Sequence, residues 1–256
     1  MSSLVVKDLC KTYIVNKRQN NVLRNVNMEI QEGEMVAVMG PSGSGKSTLL
    51  YAISGMDRPT AGSVSFFGKD LMKLDAAQMS EMRLDEMGFI FQQMYMLKNL
   101  SVYDNIILPA YQSKNGKGKE KRATINDRAK ELMKKLGISE IAENDINEVS
   151  GGQLQRACIC RSLINQPKMI FADEPTGALN QQNSKEVMKE LNRINAEGTT
   201  VMLVTHDMKV AAKSDRVLYI EDGNIKGEVT FGKLRENGEI KERERRISNW
   251  LMEMGF

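Results

Sequence analysis

The sequence predicts an α/β protein with a mostly parallel β-sheet at its core, an antiparallel β subdomain at the N-terminus and an inserted α-helical lobe. Short, nearly continuous apolar runs are typical of buried parallel strands, and they occur at Glu34–Met39, Met169–Ala172 and Val201–Thr205. Helical patterns lie between such runs, at Ser47–Ser54, Gln153–Leu163 and Ser184–Asn195. Strands that alternate with helices predict a parallel sheet covered on both faces.

The N-terminal part has a different pattern, in which apolar and polar residues alternate. Leu4–Val6 and Val22–Ile30 predict two strands of this kind. The polar stretch Lys17–Asn21 between them predicts a turn. A further strand is predicted between the glycines of Gly62–Gly68.

The middle and the C-terminus differ from this core. From about Leu71 to Leu163 helical patterns alternate with polar turns, and we expect the inserted lobe at about 93–163. The lysine-rich stretch Gln112–Arg122 predicts a solvated loop. The main domain is then 1–227, and 228–256 is a charged extension. Its spaced apolar residues predict an amphipathic helix, which either docks on its own core or contacts a partner: Ile247, Trp250, Leu251 and Met254.

Composition restricts the function classes. A length of 256 residues with 41% hydrophobic residues suits one compact domain with an insertion. The net charge of +3 is too small to favour a nucleic-acid partner. Apolar runs fall short of the roughly 20 residues that span a bilayer, and the N-terminus lacks a signal-peptide pattern, so we expect a cytoplasmic protein. Cys158 and Cys160 lie two apart on a predicted helix, which favours small buried residues over a metal site or a disulfide.

One glycine-rich segment predicts phosphate binding. The eight residues Gly40–Ser47 match the pattern G-x-x-x-x-G-K-[ST], with a strand before and a helix after. Such a loop points backbone N–H groups at phosphate oxygens, and the helix N-terminus adds partial positive charge. We expect Lys46 to contact the terminal phosphates and Ser47 to ligate Mg²⁺. The residues predicted to bind the nucleotide here are Gly40, Ser42, Gly43, Ser44, Gly45, Lys46, Ser47 and Thr48.

Two further strand ends carry titratable groups. Asp173 and Glu174 follow an apolar strand, and Glu174 is placed to polarise a water molecule as general base while Asp173 reaches a metal. His206 is the only histidine of the chain and ends another apolar strand. Ligands of parallel sheets collect at the carboxyl ends of the strands, so its position favours a functional role.

A second phosphate-directed helix start is predicted at Ser150-Gly151-Gly152-Gln153. Since one nucleotide already has its loop at Gly40–Ser47, a second such element indicates phosphates shared between two copies. With these four residues the sequence resembles the nucleotide-binding domain of ABC transporters, whose signature is Ser-Gly-Gly-Gln. The resemblance extends from Leu4 to about Gly227, and it implies a P-loop NTPase (RecA-like) core that binds ATP and Mg²⁺.

The resemblance also implies roles for single residues. Tyr13 matches the aromatic residue that stacks on adenine, and His206 the histidine that contacts the γ-phosphate. Gln92 matches the glutamine that touches Mg²⁺ and the attacking water and senses the membrane subunit. Asp173 and Glu174 match the metal aspartate and the catalytic glutamate. Ser150, Gly151, Gly152 and Gln153 match the signature that binds the nucleotide of the other copy.

The resemblance further implies an ATP-dependent head-to-tail dimer that drives a separate integral membrane permease from the inner face of the cell membrane. Gly177–Asn180 matches the loop that crosses the dimer seam, but Asn180 stands where aspartate is commoner, and Val149 where leucine is usual. Asparagine keeps a hydrogen-bonding oxygen and loses the charge.

The run Asp173–Leu179 is similar to the branch that serves lipoprotein release, macrolide export and peptide-antibiotic resistance. Asn180 and the charged extension favour the last of these. The alternatives are a lipoprotein-release or macrolide-export ATPase, and a signalling or cell-division ABC ATPase. Soluble ABC ATPases of translation or DNA repair fit less well, because the chain carries one cassette and no long heptad run.

Overall fold

Strands and helices alternate along most of the chain in the computed structural model, which describes residues 1–114, 122–234 and 239–254. The strands are β1 Ser2–Val15, β2 Arg18–Gln31, β3 Met35–Met39, β4 Ala61–Phe66, β5 Lys69–Asp70, β6 Met87–Phe91, β7 Met169–Asp173, β8 Thr200–Val204, β9 Arg216–Glu221 and β10 Asn224–Thr230. The helices are α1 Lys46–Ile53, α2 Ala76–Glu86, α3 Val102–Gln112, α4 Arg122–Lys135, α5 Gly151–Leu163, α6 Gln181–Ala196, α7 Met208–Ala211 and α8 Glu239–Glu253. The α/β fold class is as predicted.

The chain divides into two compact units. Unit 1 comprises Met1–Leu74 and Ile194–Phe256, and unit 2 comprises Asp75–Arg193. Most of the loop predicted at Gln112–Arg122 lies outside the described residues.

The N-terminal sheet of unit 1 is antiparallel, as predicted, with the strand order β2-β1-β4-β5. The turn predicted at Lys17–Asn21 is wrong in position, because Val15 pairs with Arg18 and the chain reverses at Asn16 and Lys17. Both turn residues have positive φ, 51° and 62°. A two-residue hairpin of type I′ requires such angles and favours asparagine at its first position, so β2 starts earlier than its apolar residues indicate.

The second sheet of unit 1 has the order β10-β9-β3-β8. β3 pairs in parallel with both β8 and β9, and β10 is antiparallel to β9. Every residue of β3 and of β8 is buried, which explains why both read as unbroken apolar runs rather than as alternating ones.

Unit 2 contains a strand pair together with the helices of the middle region. β6 and β7 are parallel, with Phe91 opposite Asp173. The expectation of helices throughout this region is therefore wrong for Met87–Phe91. Phe89 stacks on Phe91 and on Phe171, with ring centroids 6.0 Å and 5.7 Å apart. Such cross-strand aromatic packing stabilises a short strand, and it depends on β7, some 80 residues away in the sequence.

Helix α8 of the C-terminal extension packs on unit 1. Ile247 and Leu251 are buried, and the Trp250 ring meets the Tyr219 ring of β9 edge to face at 6.2 Å. Arg243 donates to the carbonyl oxygens of Ser214 and Lys233. Of the two alternatives for this helix, docking on its own core is the one that the structure shows.

Candidate functional site

The segment between β3 and α1 is a tightly curled loop. A Cβ atom at Gly40 would lie 2.0 Å from the carbonyl oxygen of Ile220, so a side chain does not fit there. Gly45 has a φ of +102° and is the N-cap of α1, without a side-chain capping bond. The loop therefore ends on a helix start whose N–H groups are directed at the loop, which is an arrangement that binds phosphate.

The polar side chains of this loop suit a triphosphate. Lys46 Nζ donates to the carbonyl oxygens of Gly40 and Pro41, at 2.9 Å and 2.8 Å, so its ammonium lies across the loop. The Ser44 hydroxyl oxygen is buried and has no hydrogen-bond partner within the described ranges. Buried polar groups normally have partners, so a cationic loop with an unsatisfied hydroxyl fits an anionic ligand. Ser47, at the start of α1, provides the hydroxyl oxygen that a hard cation such as Mg²⁺ prefers.

His206 lies at the same sheet edge as this loop. Val38 of β3 is opposite Val204 of β8 in the parallel register, and the N–H of Thr205 donates to the Val38 carbonyl at 3.1 Å. Gly40 and His206 are each two residues beyond that pair. The structure thus brings the exposed imidazole and the phosphate loop to the carboxyl ends of neighbouring strands.

Tyr13 of β1 is held by a charged pair that the sequence analysis did not identify. Its hydroxyl donates to the Asp57 carboxylate, and the Lys11 ammonium lies 4.7 Å from its ring centroid. The hydroxyl also has a hydrogen bond with the side chain of Thr48. Burial and the hydrogen bond to Asp57 raise the pKa of Tyr13 to about 12, so the phenol stays protonated. The sequence alone did not indicate that Asp57 is the partner of Tyr13, because the two residues are 44 positions apart.

In unit 2, Gln92 and Glu174 follow directly on the opposed residues Phe91 and Asp173 of β6 and β7. A Cβ atom placed on Gly177 would lie 3.1 Å from Gln92 Nε2 and 3.4 Å from Glu174 Cβ. The side-chain amide of Gln92 and the Cβ atom of Glu174 therefore lie against the same glycine. Asp173 is 8% exposed at the end of its strand and offers the carboxylate ligand that Mg²⁺ takes in proteins.

Glu174 has an unusual backbone conformation. Its φ is +47°, in the left-handed region that side chains other than glycine and asparagine seldom adopt. The Glu174 carbonyl accepts a hydrogen bond of 3.0 Å from the N–H of Gly177, which closes a turn directly after the strand. Local strain of this kind is concentrated at functional sites, and here it turns the chain at the predicted catalytic carboxylate.

The Ser-Gly-Gly-Gln segment starts helix α5 with a capping box. Ser150 Oγ accepts from the N–H of Gln153, and Gln153 Oε1 accepts from the N–H of Ser150. The two glycines differ in their surroundings. A Cβ on Gly151 would meet no atom within 4 Å, whereas a Cβ on Gly152 would lie 2.5 Å from the Asn183 side chain. Gly151 thus has open space at its Cβ position at the helix start, and Gly152 lies against the end of the Asn183 side chain.

The predicted site residues fall into two groups. Unit 1 holds Tyr13, the Gly40–Thr48 loop and His206, and unit 2 holds Gln92, Asp173, Glu174 and Ser150–Gln153. Among the described residues, no cluster of three or more His, Cys, Asp or Glu side chains could by itself hold a metal ion. Ser47 in unit 1 and Asp173 in unit 2 are therefore single candidate ligands for Mg²⁺ rather than members of such a cluster.

A family model described as ABC transporter matches residues 23–177, which is more than half of the chain. The chain belongs to the ABC transporter family. Its relatives include the uncharacterized ABC transporter ATP-binding protein YknY of Bacillus subtilis (strain 168), 41% identical over 84% of this chain and 91% of that protein. Another is the macrolide export ATP-binding/permease protein MacB of Rhodopseudomonas palustris (strain BisB18), 41% identical over 88% of this chain and 33% of MacB.

Solved structures give the same assignment. A dimeric structure of the bacterial ABC transporter cassette MJ0796 has a TM-score of 0.84, with 37% identity over 90% of this chain and all of that one. A post-hydrolysis state of the same cassette, bound to ADP and Pi, has a TM-score of 0.83. This chain is accordingly an ABC ATPase domain and the ATP-binding subunit of a transporter. In the part that the structure describes, no helix combines the length and apolar character needed to cross a membrane.

Proposed function

We propose that this ABC cassette hydrolyses ATP with Glu174 as general base and transmits the resulting movement to a separate membrane permease. The observation that carries the proposal is the meeting of Gln92 and Glu174 at Gly177. A carboxylate at a strained turn beside an amide is suited to orient and polarise a water molecule. The same contact joins the proposed catalytic residue to Gln92, the residue that the family resemblance assigns to sensing the membrane subunit.

The other site residues bind different parts of the Mg-ATP complex. The N–H groups of the Gly40–Thr48 loop and Lys46 neutralise the phosphates, and His206 contacts the γ-phosphate. Ser47, Asp173 and Gln92 would hold Mg²⁺, which supplies charge neutralisation on the phosphate oxygens when bound. Tyr13 stacks on adenine.

The active form we propose is a head-to-tail pair of two copies with two ATP molecules. Ser150–Gln153 of each copy binds the nucleotide held by the other, and the open space at the Cβ position of Gly151 supports this. A ligand shifts a conformational equilibrium only by its differential affinity for the two states. ATP therefore favours the closed pair, and hydrolysis to ADP and phosphate releases it.

For the cargo we propose antimicrobial peptides, with the cassette positioned on the inner face of the cell membrane beneath its permease. Asn180 and the charged extension support this branch. Macrolide export is the second candidate, because MacB is a relative at 41% identity. A signalling or cell-division role remains the third, and an intact Glu174 favours a site that turns over.

The chemical proposal is tested with Glu174→Gln, which keeps the shape of the side chain and removes its basicity. We expect this variant to bind ATP and form the pair, seen by size-exclusion chromatography, while turnover falls by at least a hundredfold, within the usual contribution of general base catalysis. Glu140→Gln, at an exposed position of unit 2, is the matched control and should hydrolyse normally. Rapid turnover by Glu174→Gln would exclude the assignment of the base.

The transport proposal needs a separate experiment. The tagged protein is purified from gently solubilised membranes of its host, and its partners are identified by mass spectrometry. A permease with a large extracellular domain is the expected partner, and loss of that permease should sensitise cells to peptide antibiotics rather than to macrolides. Recovery of ribosomes or DNA-repair proteins instead would remove the transport claim.

A further inference from the structure

Lys11, Tyr13 and Asp57 form a cluster on unit 1 that none of the catalytic assignments above uses. Lys11 is 8% exposed, and its ammonium donates to the Asp57 carboxylate and to the Arg58 carbonyl, the latter at 2.8 Å. Buried ammonium groups need such partners. The cluster is therefore a satisfied charge network and has one defined arrangement.

The carboxylate of Asp57 holds two groups at once. One oxygen, Oδ1, accepts from Lys11, and the other, Oδ2, accepts from the Tyr13 hydroxyl. Burial alone would raise the pKa of Asp57, but the hydrogen bonds from Lys11 and Tyr13 outweigh it and lower that pKa. The carboxylate is thus charged near neutral pH, and a charge-assisted hydrogen bond fixes the outer end of the Tyr13 ring.

The two faces of the Tyr13 ring differ. The Lys11 ammonium lies over one face at 4.7 Å from the centroid, a cation–π contact. A flat nucleobase can then stack only on the opposite face. The hydroxyl also meets Thr48, the residue after Ser47 on α1, so the same anchor ties the ring to the end of the phosphate loop.

We propose that Asp57 is a positioning residue for the nucleobase, acting through the Tyr13 hydroxyl to set the plane on which the purine of ATP stacks. The proposal rests on the proposed function, since it requires that Tyr13 meets adenine. If Asp57 acts in this way, residue 13 must carry a hydroxyl group as well as an aromatic ring. A ring that only stacked would serve equally well as phenylalanine, whereas a ring aligned by Asp57 needs its hydroxyl.

The test compares two ligands, Mg-ATP and Mg-tripolyphosphate, by isothermal titration calorimetry. Tyr13→Phe is expected to weaken ATP binding about tenfold, a typical share of one base-stacking contact, and to leave tripolyphosphate binding within about twofold. Asp57→Asn, which keeps an oxygen acceptor but not the charge, should give a smaller loss for ATP alone. In a Tyr13→Phe/Asp57→Asn double variant the two effects should not add, because both remove one linkage.

A matched control is available in unit 2. The Tyr111 hydroxyl donates to Asn126 at 2.8 Å, and the Arg122 guanidinium lies 5.3 Å from its ring centroid. Tyr111→Phe therefore removes a similar anchored hydroxyl at a residue outside the predicted nucleotide site, and the affinity of this variant for ATP should equal that of the wild type.

The outcomes separate the two proposals. Equal ATP affinity of Tyr13→Phe and wild type would overturn the positioning role, and so would parallel losses for ATP and tripolyphosphate, which indicate a disturbed phosphate loop. A wild-type protein that bound neither ligand would instead contradict the proposed function itself. Selective loss of ATP affinity supports the proposal.

Discussion

The side-chain oxygen of Asn180 accepts a hydrogen bond of 2.9 Å from the backbone N–H of Asn183. Asn180 also receives the Ser184 hydroxyl on its carbonyl. The residue that departs from the commoner aspartate of this loop is therefore the N-cap of α6, a position that asparagine and aspartate fill equally well. Either residue would therefore serve as the cap, and the two differ in the charge that they place at the start of α6.

The first prediction concerns this cap. Asn180→Ala should lower the free energy of unfolding by about 1 kcal/mol. Asn180→Asp should keep the cap and gain about 0.3–1 kcal/mol from its charge at the helix N-terminus. Thermal unfolding followed by circular dichroism measures both. An Asn180→Ala variant as stable as the wild type would show that the hydrogen bond contributes nothing in solution.

The second prediction separates the two signature glycines. Gly152→Ala should destabilise the protein by no more than about 1 kcal/mol, because the added methyl group overlaps the end of the Asn183 side chain, which can rotate away. Gly151→Ala should not destabilise the protein, since nothing lies within 4 Å of its Cβ position and alanine is the better helix former. Its turnover should nevertheless fall if Gly151 approaches the phosphates of the other copy.

The same contact provides an internal control. In an Asn183→Ala background the cost of Gly152→Ala should largely disappear, because the colliding side chain is gone and the two sites interact directly. A full, additive cost in the double variant would mean that the methyl group meets something other than Asn183.

These contacts show what sequence could and could not predict. The phosphate loop Gly40–Ser47 and the carboxylate pair Asp173-Glu174 could be predicted from the sequence, because the residues of each group are consecutive. A single turn or a single strand end fixes their spacing. The Asp57 partner of Tyr13 and the Asn183 partner of Gly152 could not be predicted, since their contacts arise only when separate elements pack. Strand β6 was missed because its five residues resemble a helical segment until Phe171 is known to lie beside them.

The third prediction concerns Cys158 and Cys160, which are buried as the sequence indicated, whereas Cys10 is only partly buried. Burial raises the pKa of the Cys158 thiol to about 11 and also raises that of Cys160. Thiolates are the reactive species, so only Cys10 should be alkylated by iodoacetamide in the folded protein at pH 8. Mass spectrometry of the labelled protein identifies the site. Modification of Cys158 before unfolding would contradict the burial.

The raised thiol pKa values also predict a pH dependence with a definite sign. The folded protein holds these protons more tightly than the unfolded chain, whose cysteines titrate near 8.5. Their contribution to stability is complete below that pH and is lost as the pH rises toward 11. A Cys158→Ala/Cys160→Ala variant should lose less stability than the wild type between pH 8.5 and 10.5. Parallel curves for the two proteins would assign the alkaline loss to other groups.

The last prediction concerns the docking of α8. Arg243 is 5% exposed, and it donates to the carbonyl of Ser214, which is fully buried, and to that of Lys233. Lys233 in turn donates to Asp215, whose carboxylate also receives the N–H of Met35 at the start of β3. The extension is thus linked through Lys233 and Asp215 to the strand that leads into the phosphate loop.

Arg243→Ala should therefore cost about 2–3 kcal/mol, because a charged donor is lost and the buried carbonyl oxygen of Ser214 is left without this partner. Trp250 is the only tryptophan of the chain and lies edge-on to Tyr219, so its fluorescence reports the docking of α8. We expect its emission to shift to the red at a lower urea concentration in Arg243→Ala than in Arg245→Ala, an exposed position on the same helix. Coincident shifts in the two variants would show that the buried arginine does not hold the helix.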